Sequence, residues 1–125
     1  MNKPTNLNEY YSNLNELGKV MYNQIRSLIY QENPNVCETL FVSNPYYYLK
    51  QYEEIKPHYR PSIMLVFYKD HLNIFAHAVK EYKSRLELYK VTDKETLQIY
   101  YDKPLLYGIL IELFEKSMQP QEANK

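Results

Sequence analysis

Residues 67–77 read FYKDHLNIFAH and carry Asp70, His71 and His77 close together in the chain. Imidazoles and a carboxylate are the groups that ligate a transition metal or move a proton. Spacing tells against one shared ion. On an extended strand His71 and His77 share a face but lie ~20 Å apart, whereas each imidazole on one metal must come within ~2 Å of it. Asp70 falls where the chain turns and points elsewhere. The segment therefore reads as a hairpin with a polar tip and a mixed outer face, leaving His71 alone as a ligand or acid–base group.

The remaining polar residues form no strong catalytic pattern. Lys69, His71, Lys90 and Lys103 are the candidate set for a small anionic ligand. The most basic region, Lys80, Lys83, Arg85, Lys90, Lys94 and Lys103, is interrupted by Glu81, Glu87, Asp93, Glu95 and Asp102. A nucleic-acid patch is less diluted than that. Glu9, Glu16 and Glu32 are too spread to form an acidic ridge of hard oxygen ligands, and Glu53-Glu54 sits in a loop. His58, between prolines, reads as solvated. Cys37 reads as a small buried hydrophobe rather than a nucleophile. No GxGxxG, P-loop, HExxH, CxxC or GxSxG occurs. No catalytic residue, metal site or resident cofactor is expected, and the chain does not read as an enzyme.

The elements that must position these residues follow from the apolar periodicity. The chain has 125 residues, the length of one domain, so 1–125 is read as a single unit with loose ends at 1–7 and 119–125. Leu14, Leu17, Met21, Ile25, Leu28 and Ile29 recur at helical spacing, predicting a helix from Leu7 or Asn13 to Gln31 with a break near Ser12. Gly18 inside that stripe suggests close approach to a sheet. Val36 to Ser43 reads as a strand, Asn44-Pro45 as a turn or bulge, Tyr46 to Leu49 as a short strand, and 51–61 as a mobile connection.

Ile63–Tyr68 and His71–Ala76 make the clearest pair. With Lys69-Asp70 as a two-residue turn, Ile63, Leu65, Phe67, Leu72, Ile74 and Ala76 share one apolar face. Met64, Val66, Tyr68, His71, Asn73, Phe75 and His77 take the other. A short helix over Ala78–Leu88, a strand over Thr96–Tyr101 and a last helix opened by Lys103-Pro104 complete the order. The class is α+β: an antiparallel sheet of four to five strands with helices on one face, in the order helix, strands, helix, strand, helix. On the last helix Tyr107, Ile111 and Met118 widen the apolar face beyond what one sheet covers, which makes them the candidate homodimer interface.

Composition narrows the partners. Fifteen Lys plus Arg balance fifteen Asp plus Glu, which argues against nucleic acid. No stretch approaches ~20 apolar residues, so no membrane span is expected. Met1 to Asn13 lacks a signal-like apolar core. One cysteine permits no internal disulfide and fits a reducing cytoplasm. Fifteen tyrosines without tryptophan suit a half-wet sheet better than a dry core.

Several short motifs, in this order, resemble the YdhG-like domains, a family of small bacterial proteins. Glu9-Tyr10-Tyr11, then Pro45 after a short strand, are similar to the family's N-terminal half. FYKDHLNIF is similar to its phenylalanine–lysine–asparagine–histidine hairpin, with Asp70 in the asparagine position. YKSRLELYK (82–90) is similar to its second helix, and TLQIYYDKPL (96–105) to its strand followed by a Lys-Pro-Leu helix start. The chain departs at two places where the family commonly has glycine: Val42-Ser43-Asn44 replaces tyrosine–glycine before the proline, and Glu95 replaces the glycine before the strand threonine. The resemblance implies a compact α/β sandwich, a cytoplasmic setting and, since some members are described as frataxin-like iron chaperones, iron delivery to an accepting protein. The functional expectation is a binding or carrier domain; the alternative is a self-associating interaction module.

Overall fold

A computed structural model describes residues 3–121. The ends expected to be loose, 1–7 and 119–125, fall partly outside the described residues. Helix α1 (Leu7–Ser12) leads into α2 (Glu16–Glu32). Strands β1 (Cys37–Phe41), β2 (Asn44–Tyr48), β3 (Ser62–Phe67) and β4 (His71–Phe75) follow. Then come α3 (Val79–Tyr82), β5 (Lys90–Val91), β6 (Leu97–Tyr100) and α4 (Tyr107–Ser117). The six strands form one antiparallel sheet in the order β1-β2-β3-β4-β6-β5. This is the expected α+β class, with one strand more than the four to five anticipated. The addition, β5, is two residues long, too short to carry a periodic signal.

The β3–β4 hairpin sets the faces. Phe67 pairs with Leu72 and Leu65 with Ile74, and the Tyr68 amide donates to the His71 carbonyl at 2.8 Å across Lys69-Asp70. Ile63, Leu65, Leu72 and Ile74 are fully buried, with Phe67 and Ala76 packed against them. Met21, Ile25, Leu28 and Ile29 of α2 and Leu110, Leu113, Phe114 and Met118 beside them close the same core. The break before α2 is a capping event: the Asn15 side chain accepts from the Gly18 amide at 2.8 Å. A Cβ on Gly18 would meet Asn15, Leu14 and the Tyr101 hydroxyl. The close approach is thus to its own cap and to the chain just after β6, not to the sheet proper.

Four local expectations are corrected. The reversal after β1 is at Val42-Ser43, and Asn44-Pro45 begins β2 instead. Pro45 can join because it faces only Leu40: the pairing of β2 with β3 starts at Tyr46, so its missing N–H breaks no ladder there. The helix expected over 78–88 is one turn, Val79–Tyr82, continued by a 3₁₀ turn at Lys83–Arg85. The last helix begins at Tyr107 rather than at Pro104. There the Tyr89 hydroxyl donates to the Pro104 carbonyl (2.7 Å) and accepts from the Leu106 amide (2.8 Å), holding 104–106 outside the helix. Residues 51–61 form a folded loop: the Arg60 guanidinium donates to the Glu53 and Ile55 carbonyls.

Val42, Ser43 and Glu95 have positive φ, at 51°, 64° and 64°. Val42-Ser43 is a two-residue hairpin turn whose geometry requires φ > 0 at both positions. Glu95 closes the β5–β6 hairpin: its amide donates to the Thr92 carbonyl, and the Thr92 amide to the Thr96 carbonyl. That is the three-residue loop whose last position is left-handed and ordinarily glycine. All three left-handed positions are therefore held by residues other than glycine. Left-handed backbone costs an L-residue about 1–2 kcal/mol, partly offset by the unfolded-state entropy glycine would add. Ser43→Gly and Glu95→Gly are each expected to raise unfolding free energy in urea by about 0.5–1 kcal/mol; a loss of stability in both would contradict the turn assignments.

Candidate functional site

The outer sheet face divides in two. Over β1–β2 it is roofed by the 49–61 loop. The Tyr46 hydroxyl donates to the Pro57 carbonyl at 3.2 Å, Arg60 lies 4.1 Å over the Tyr48 ring, and His58 meets Phe41 edge-on at 5.6 Å. Tyr46 is consequently buried although it points away from the helices. Over β3–β4–β6 the face is open. Tyr68, Phe75 and Tyr100 are 49%, 38% and 36% exposed, and Met64, Val66, His71, Asn73 and Gln98 between them are half-buried.

Three rings form a row across this open half. His71 stacks on Tyr68 at 4.8 Å with 13° between planes, and on Tyr100 at 4.9 Å with 29°. The separations match the spacing of adjacent strands, because Tyr68 follows β3, His71 opens β4, and Tyr100 is its β6 partner. The row is braced from below. His71 Nδ1 lies 2.7 Å from Asp70 Oδ1. That hydrogen bond with His71, outweighing desolvation, holds the Asp70 carboxyl below its usual range. The Tyr101 hydroxyl donates to the Tyr68 carbonyl at 2.6 Å, and the Asn15 amide to the Lys69 carbonyl at 3.0 Å. Burial pushes the Tyr101 hydroxyl pKa up to about 12. The α2 cap, the hairpin turn and the chain after β6 are thus tied together beneath the rings. Asn73 Oδ1, in the next row, is buried and has no hydrogen-bond partner among the described residues.

Of the expected ligand set, His71 and Lys90 share the open face. Lys90 is opposite Gln98, which is opposite Asn73. Strand spacing puts Lys90 roughly 12 Å from His71, so the two do not converge. Lys69 and Lys103 are exposed in loops at the His71 end. His77 is at the far end of β4, where its Nε2 lies 2.7 Å from the Gln119 carbonyl. It borders a cleft of about 350 Å³ beside α3 and α4. Two charges at that cleft, Glu81 and Lys116, are paired at 2.6 Å. Among the expected interface residues Met118 is fully buried and Ile111 packs on the core, because α4 spends that side on α2 and the core. Tyr107 is exposed and Ile111 half-buried, so of the three only Met118 is withdrawn from the surface.

A second constellation, not found from the sequence, lies on the inner face. Glu38 Oε2 accepts from Arg26 Nε and the Tyr47 hydroxyl, both at 2.7 Å. Its Oε1 accepts from Arg26 Nη2 at 2.9 Å and the Tyr30 hydroxyl at 3.1 Å. Desolvation raises the Glu38 pKa, but these donors outweigh it and the net shift is downward. Burial raises Tyr47 strongly, and the Glu38 hydrogen bond raises Arg26. The signal is an acid at an inward position between two apolar inward residues, Val36 and Leu40, which must be paired to be tolerated. Its chemistry is structural: it clamps α2 to β1 and β2.

The sign of its pH dependence follows. A carboxyl whose folded pKa is depressed stabilises fully above its unfolded value, roughly 4.3, and loses that contribution as pH falls toward the folded value. Glu38→Gln is therefore expected to unfold at lower urea than wild type by about 1–3 kcal/mol at pH 7, the gap narrowing below roughly pH 4. A gap independent of pH would contradict the clamp.

No family model matches this sequence, and no curated protein does. A solved structure does: a Bacillus subtilis protein of the DUF1801 family, YdhG, with a TM-score of 0.68 and 16% identity, over 86% of this chain and 84% of that one. The likeness is one of fold, and at that level the resemblance read from the short motifs is shown. Among the described residues no helix is long and apolar enough to cross a membrane.

Proposed function

We propose, from the premise of a YdhG-like fold, that this chain is a binding domain rather than an enzyme, and that it holds a protein partner on the open half of its sheet. The observation that carries this reading is the braced Tyr68–His71–Tyr100 row. Tyr and His rings offer large, rigid, amphipathic contact area with few torsions to freeze, and the ties to Asp70, Tyr101 and Asn15 set their geometry before any partner arrives. Positive charge is not concentrated around the row: Lys69 and Lys103 alternate with Asp70 and Asp102, which favours a protein surface over a phosphate backbone.

The finer version, ferrous iron carried to an accepting protein, comes from the family resemblance alone. Hard carboxylate oxygens or imidazoles would have to gather for it, and among the described residues no group of three His, Cys, Asp or Glu side chains could hold a metal ion. Anaerobic calorimetry with ferrous iron separates the versions. No saturable heat is expected; a saturable site would make the carrier version the better one.

The partner is tested by comparative capture from an extract of the source organism. Wild type, Tyr68→Ala/Tyr100→Ala, and Leu17→Ser as a control at an exposed apolar site on α2 are immobilised side by side. Removing two aromatic anchors is expected to deplete a captured protein about tenfold or more while the control retains it. Equal recovery on all three would refute the open face as the working surface.

A further inference from the structure

The two edges of the sheet differ. The β5 edge is two residues long and begins with the exposed Lys90, features that blunt an edge against pairing. The β1 edge runs five residues, Cys-Glu-Thr-Leu-Phe, without Lys, Arg or Pro, and its register with β2 contains no bulge. Which backbone groups it presents can be worked out. Phe41 and Asn44 close a two-residue hairpin and so exchange both hydrogen bonds; antiparallel alternation then gives bonded pairs at Thr39↔Tyr46 and Cys37↔Tyr48. Leu40↔Pro45 falls at a non-bonded position, as a residue without an N–H requires. The N–H and C=O groups of Glu38 and Leu40 therefore point outward from the edge.

We propose that β1 pairs antiparallel with β1 of a second copy of this chain, about a two-fold axis at Thr39. That register sets Glu38 opposite Leu40 of the other copy, twice, giving four backbone hydrogen bonds from the four outward groups. Thr39 meets its own mate, a favourable cross-strand pair, and Cys37 meets Phe41. Like charges are not opposed, and the strand's one charge, Glu38, is already neutralised by Arg26. Shifting the axis to Glu38 would set two carboxylates face to face. Shifting it to Leu40 would recruit the left-handed Val42 in place of strand. The surface is thus self-complementary in one register, as an isologous contact demands, and a net charge of zero opposes no approach of copies. The axis stands perpendicular to the sheet, so the two open faces would lie on the same side of a continuous sheet. The dimer does not depend on what those faces bind.

The test is self-association of the full chain by sedimentation velocity and light scattering from roughly 10 μM to 1 mM, the range in which so small a contact is expected to form. Wild type should climb toward twice the monomer mass. Thr39→Lys, a substitution at an exposed position checked for fold by circular dichroism, sets two ammonium groups opposite each other and should weaken association at least tenfold. In a Cys37→Ser background, Thr39→Cys should form a reducible covalent dimer, because a non-bonded pair brings its Cα atoms to ~4.5 Å, within disulfide reach. A wild type monomeric throughout overturns the proposal. So does a dimer that survives Thr39→Lys, or one that fails to cross-link through Thr39→Cys.

Discussion

The fold hangs on strict two-residue alternation through the β3–β4 hairpin. Because Lys69-Asp70 reverses the chain in two residues, the inward residues pair apolar to apolar, Phe67 with Leu72 and Leu65 with Ile74, and a slip of one would invert both faces. In this register Ile63, Leu65, Leu72 and Ile74 are fully buried beneath α2 and α4. The same alternation sends Tyr68, His71, Asn73 and Phe75 outward. Core and candidate surface are two consequences of one register, so neither can be moved without the other.

Around that hairpin, polar groups do the locating that apolar contact cannot. Glu38 accepts from an arginine and two tyrosines and ties α2 to β1 and β2. Removing one member of such a cluster strands a buried polar group, which costs more than the cluster contributes net. Asn15 caps α2 with its oxygen and holds the hairpin turn with its amide. The Tyr10 hydroxyl accepts from the Phe67 amide at the end of β3. The tyrosine-rich composition acquires a reason here: a phenol packs its ring in the core and still reaches a backbone or carboxylate partner at the rim.

What the sequence disclosed follows the physics of each element. The hairpin was legible because both strands carry the period. The break expected near Ser12 falls between two asparagine caps, Asn13 closing α1 and Asn15 opening α2. The first hairpin turn was misplaced because Val42 and Ser43 carry no glycine or asparagine signal, while Asn44-Pro45 does. The start of α4 was misplaced because a tyrosine hydroxyl from another part of the chain holds the residues after Pro104 in place. His71 was singled out, and its pairing with Tyr68 follows from the turn. Tyr100 could not be found, since its place beside His71 depends on β6 entering the sheet next to β4. The Glu38 cluster is likewise tertiary, drawn from α2, β1 and β2.

A binding surface on the outer face requires the half over β3, β4 and β6 to be open while Tyr46 and Tyr47 are enclosed. Hydroxyl-radical footprinting of the free protein, read residue by residue by mass spectrometry, tests that directly. Tyr68 and Tyr100 should be oxidised readily, with Tyr46 and Tyr47 protected, the first by the 49–61 loop and the second by the helices. Protection of Tyr68 and Tyr100 equal to that of Tyr47 would mean the face is covered, and the assignment of a binding surface there would fail.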